Sequence, residues 1–144
     1  SGGFYPVSAV VADGPILGLL TPGEHGSTVG GNPLASAVAR AAIRVLVEEN
    51  LIENASLMGA YFQEQLAEIN SPHIRQVRGK GLLIGVELKP EARGARRFCE
   101  AMMRQGILAK ETHDNVIRFA PPLVINREIL DWALPKIREV LYME

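Results

Sequence analysis

The sequence predicts a mixed α/β chain. Two stretches carry apolar residues at helical spacing, and short runs rich in β-branched and aromatic residues alternate with the helical patterns. Glycine, proline and asparagine fall between them as punctuation. No internal repeat or low-complexity segment disturbs this order.

Residues 4–12, FYPVSAVVA, predict a strand, and Pro6 places it at a sheet edge or at the strand's start. Residues 13–31 read as loop. From there Leu34, Ala37, Val38, Ala41, Val45 and Leu46 return every three or four residues. Arg40, Arg44, Glu48 and Glu49 lie mostly opposite, as in a helix that buries one stripe. Asn50 marks a break. Residues 51–69 predict a second amphipathic helix through Leu57, Met58, Tyr61, Phe62, Leu66 and Ile69. Residues 77–88 predict one strand interrupted by Gly79, Gly81 and Gly85, and residues 95–105 a helix closed by Gly106. Short strands are expected at 107–109 and 116–119, on either side of a polar loop at 110–115. The last helix, at 127–142, is expected to kink at Pro135, which removes a backbone hydrogen bond. The pattern after Asn50 is that of a two-layer α+β domain with a mainly antiparallel sheet and helices on one face.

A chain of 144 residues, 47% of them hydrophobic, can bury a sizeable core. Its net charge of −1 gives no long-range pull toward nucleic acid or an anionic membrane. No apolar run reaches the roughly 20 residues that a membrane span needs. No charged segment followed by an apolar one opens the chain, so no secretory signal is read. The single cysteine, Cys99, cannot form an internal disulfide, which fits a reducing compartment; the expected location is cytoplasmic. Its neighbours Phe98, Met102 and Met103 predict a buried structural thiol.

The stretch GEHGSTVGGNPL, residues 23–34, has the build of a phosphate cradle leading into a helix. Gly26, Gly30 and Gly31 let the backbone turn tightly, and Ser27 and Thr28 supply hydroxyl donors. Asn32 and Pro33 are suited to the N-cap and first-turn positions. A helix N-terminus presents free N–H groups and partial positive charge to an anion. The same hydroxyls would serve equally well as caps on local backbone. A second candidate is Arg118, set between Ile117 and Phe119. These apolar flanks predict a strand in the interior and a buried cation that needs a carboxylate partner. Lys110 and His113 bracket the adjoining loop and read as surface residues. His25 has no metal-ligand partner at suitable spacing, and no Ser/His/Asp or Cys/His arrangement is present.

Four segments occur together and in order: SGGFYPVSAV at the start, GEHGSTVGGNPL, RGKGLLIGVEL from Arg78 and THDNVIRFAPPLVI from Thr112. Together they resemble the C-terminal portion of class III pyridoxal-phosphate-dependent aminotransferases, most closely the ornithine aminotransferase group, over essentially the whole chain. The resemblance implies a fold-type I architecture, with residues 1–50 as the tail of the large cofactor domain (strand, phosphate-contacting loop and linking helix). Residues 51–144 would then be the small C-terminal α+β domain. It implies pyridoxal 5'-phosphate as cofactor, with Thr28, helped by Ser27, holding the phosphate of the other subunit's cofactor in a homodimer. Val29 departs from the aromatic residue usual there. Arg118 matches an active-site arginine that meets a substrate carboxylate or is held by a glutamate from upstream.

The Schiff-base lysine of this class stands a few residues before the SGG segment, and the chain begins at Ser1. Lys80 is not in that lysine motif, and Lys89, Lys110 and Lys136 have no better claim. The chain is therefore expected to be incomplete and inactive alone, with no catalytic residue of its own. The parent's expected reaction moves the terminal amino group of ornithine to 2-oxoglutarate, so its partners are small amino and 2-oxo acids. The alternatives are an acetylornithine or 4-aminobutyrate aminotransferase of the same class, or a non-catalytic α/β dimerisation or binding module.

Overall fold

A computed structural model of the chain describes residues 3–27 and 30–144. The chain divides into two compact units, residues 1–50 and 51–144.

The first unit contains a one-turn helix α1 (Gly14–Leu17) and a long helix α2 (Pro33–Glu48). Asn32 caps α2 as its sequence suggests: the Ala35 N–H donates to Asn32 Oδ1 at 2.8 Å, and Pro33 follows at the first helical position. The strand expected at residues 4–12 does not form. A strand needs neighbours to take up its N–H and C=O groups, and the described residues of this unit supply none. Phe4, Val10 and Val11 consequently stay exposed. The loop expected at 13–31 contains α1. Asn50, in the left-handed region at φ 52°, separates α2 from the next helix.

The second unit runs α3 (Leu51–Ala67), β1 (Ile74–Lys80), β2 (Leu83–Leu88), a 3₁₀ turn at Pro90–Ala92, α4 (Arg96–Arg104), β3 (Lys110–Thr112), β4 (Val116–Phe119) and α5 (Arg127–Leu141). Its four strands form one sheet in the order β1-β2-β4-β3, and every neighbouring pair is antiparallel. The single interrupted strand expected at 77–88 is thus a hairpin. Gly81, at φ 52°, takes the left-handed conformation that reverses the chain between Lys80 and Leu83. The strand expected at 107–109 begins later, at Lys110, because residues 107–109 lead out of the cap of α4. There the Gly106 and Ile107 N–H groups donate to the Met103 and Met102 carbonyls, at 3.1 and 3.0 Å, around Gly106 at φ 85°.

Strand alternation sends Ile84, Val86, Leu88, Ile117 and Phe119 to one face of the sheet. There they pack with Phe62 and Leu66 of α3, Phe98 and Met102 of α4, and Leu130 and Ile137 of α5. Asn54 of α3 holds the segment after β4, its Nδ2 donating to the carbonyls of Leu123 at 2.6 Å and Ile125 at 3.0 Å. Helix α5 continues through Pro135. No described helix is long and apolar enough to cross a membrane.

Candidate functional site

In the first unit the glycine-rich loop closes on itself through Ser27. The Gly30 N–H donates to Ser27 Oγ at 2.9 Å, which leaves the hydroxyl proton of Ser27 available to an acceptor. A Cβ at Gly30 would stand 2.8 Å from that oxygen, so a side chain there would require Ser27 to shift. Gly31, at φ 76°, then turns the chain into the N-terminus of α2. Upstream, Glu24 accepts the Thr21 N–H at 2.7 Å, and this bond holds its carboxyl below the usual range. Thr28, the predicted phosphate ligand, and Val29 lie outside the described residues.

In the second unit, Arg118 lies on the sheet face opposite the core. It is exposed rather than buried, and no carboxylate among the described residues pairs with it. Its apolar neighbours are the reason for this correction. Ile117 and Phe119 both turn into the core, so the residue between them must turn out. Flanking hydrophobicity predicted a buried strand; period-two alternation separates the arginine from it.

The sheet register brings other cations beside Arg118. Arg118 pairs with Gly85 of β2 on one side and with Lys110 of β3 on the other, while Gly85 pairs in turn with Arg78 of β1. Arg78, Gly85, Arg118 and Lys110 therefore form one row across the sheet. Arg78 is held by Glu87, which also takes Arg75 at 2.9 Å. Lys110 leans on Glu111 at 2.9 Å. A shallow depression of 540 Å³ on this face is lined by Arg78, Lys80, Gly85, Thr112, His113 and Arg118 among others. In the sequence Lys80 is weighed only as a Schiff-base lysine, and Arg78 is given no role, because the glycines around them point to a turn. Their spacing of two on a strand was the available signal.

Elsewhere the second unit offers little chemistry. A depression of 170 Å³ near Trp132 is lined almost wholly by apolar side chains. Cys99 is 6% exposed, and burial pushes its thiol up to about 11, so it is an inert packing residue. Among the described residues no group of three or more His, Cys, Asp or Glu side chains is arranged to hold a metal ion.

The pattern of the class-III aminotransferase family matches residues 1–141. The ornithine aminotransferase of Bacillus subtilis is 54% identical over 140 residues, which are 97% of this chain and 34% of that protein. That of Bordetella pertussis is 52% identical over 141 residues, 98% of this chain and 34% of its own. Among solved structures, ornithine δ-aminotransferase of Plasmodium falciparum superimposes with a TM-score of 0.86 at 40% identity, covering 91% of this chain and 34% of that one. An acetylornithine aminotransferase from Elizabethkingia anophelis does so at 0.84 and 41%, with the same coverage of both chains. The chain spans about a third of the length of the relatives it matches.

Proposed function

This chain belongs to the class-III aminotransferase family, and on that premise we propose that it forms the C-terminal third of an ornithine aminotransferase. The whole enzyme would transfer the terminal amino group of ornithine to 2-oxoglutarate, giving glutamate semialdehyde and glutamate. The observation that carries this reading is the 52–55% identity to ornithine aminotransferases across nearly the whole chain.

The cofactor of the family, pyridoxal 5'-phosphate, supplies the electron sink for such a transfer. The residues of this chain fit it. Gly30 and Gly31 set a tight turn at the N-terminus of α2, where free N–H groups and partial positive charge favour a phosphate. The Ser27 hydroxyl keeps a proton to donate there, and Thr28 is the neighbouring donor. A hydrogen bond to a charged group contributes about 1.5–3 kcal/mol, enough to matter for cofactor retention. We assign both residues to the phosphate of the partner subunit's cofactor, which makes the homodimer the active species. Arg118, exposed and without an acidic partner among the described residues, offers its planar fork to a substrate carboxylate.

In this reading residues 1–50 complete the large cofactor domain, and residues 51–144 form the small domain that borders the site. None of the four lysines stands in the lysine motif of the family, so the chain by itself is inactive. The buried, unpaired Cys99 suits a cytoplasmic location.

The likeness to the Elizabethkingia anophelis enzyme favours acetylornithine as the second candidate donor. The test compares ornithine, acetylornithine and 4-aminobutyrate as donors for the full-length protein with 2-oxoglutarate. Ornithine is expected to lead in kcat/KM by at least about tenfold, a difference of 1.4 kcal/mol in transition-state binding. A lead by acetylornithine or 4-aminobutyrate replaces the proposed substrate. Absence of turnover with all three replaces the enzyme by a binding module.

A further inference from the structure

We draw no further inference here: the strongest candidate, the apolar depression that Leu108, Pro121, Ile125 and Trp132 line between the α4–β3 connection and α5, carries nothing because nothing in the structure shows what covers it.

Discussion

Gly59 of α3 lies directly against the backbone of Gly81, the turn residue of the β1–β2 hairpin. A Cβ placed at Gly59 would fall well inside van der Waals contact with the Gly81 carbonyl. Gln63, one turn further along, bridges both positions, its Nε2 donating to the Gly59 carbonyl at 3.2 Å and more weakly to that of Gly81 at 3.4 Å. The crossing of helix and hairpin is therefore set by two glycine backbones, and neither can retreat without moving the sheet. Gly59→Ala is expected to destabilise the protein by about 3 kcal/mol through overpacking, despite the better helix propensity of alanine. Urea unfolding measures the change; an unaltered midpoint would refute the close approach.

Ser71 is the buried polar residue that ties the C-terminal end to the start of the sheet. It is 7% exposed, its hydroxyl donates to the Leu141 carbonyl at 2.5 Å, and it accepts the His73 N–H at 3.1 Å. Ser71→Ala leaves a carbonyl and an N–H without their partner, and an unsatisfied buried group costs about 1–3 kcal/mol. A loss in that range is expected in the unfolding free energy. Hydrogen exchange should locate the effect at the end of α5. Uniform loss of protection across α3 and α4 instead would argue for global loosening.

These constraints explain which parts of the fold were legible in the sequence. Asn32–Pro33 and Gly106 announced helix ends because capping is local chemistry, complete within a few residues. Residues 4–12 misled because a strand is defined by its neighbours, and no neighbour can be read from one segment. Residues 77–88 misled differently: the single left-handed Gly81 turns one apolar run into two paired strands. At Arg118 the composition of the flanks was legible but their direction was not. The cation row was hidden more deeply still, since Arg78 and Arg118 are forty residues apart and meet only through the register of β2.

The thiol of Cys99 gives a pH-dependent signature. Burial raises its pKa from 9.0 to about 11, so the folded protein keeps this proton while the unfolded chain releases it. Below pH 9 the contribution to stability is full, and it is lost as pH rises from 9 to 11. Unfolding followed over that window should show stability falling more steeply in the unaltered protein than in Cys99→Ala. The cavity cost of the substitution is independent of pH and cancels in the comparison of slopes. Identical slopes would mean that the thiol titrates normally.

Arg118 joins the structural and functional arguments in one substitution. Its side chain leaves the core and makes no described ion pair, so Arg118→Ala removes no buried contact and should shift Tm by no more than about 2 °C. Relief of its repulsion with Lys110 acts in the stabilising direction. If Arg118 receives a substrate carboxylate, kcat/KM of the full-length enzyme should nevertheless fall by about a hundredfold, the equivalent of one charged bidentate contact. Arg118→Lys should recover only part of that loss, because an ammonium restores the charge but not the planar fork. Steady-state kinetics with ornithine and 2-oxoglutarate, run beside thermal unfolding, separates the outcomes. A fall in Tm that accompanies the loss of rate would make Arg118 a structural residue. Full activity in the alanine variant would remove it from the site.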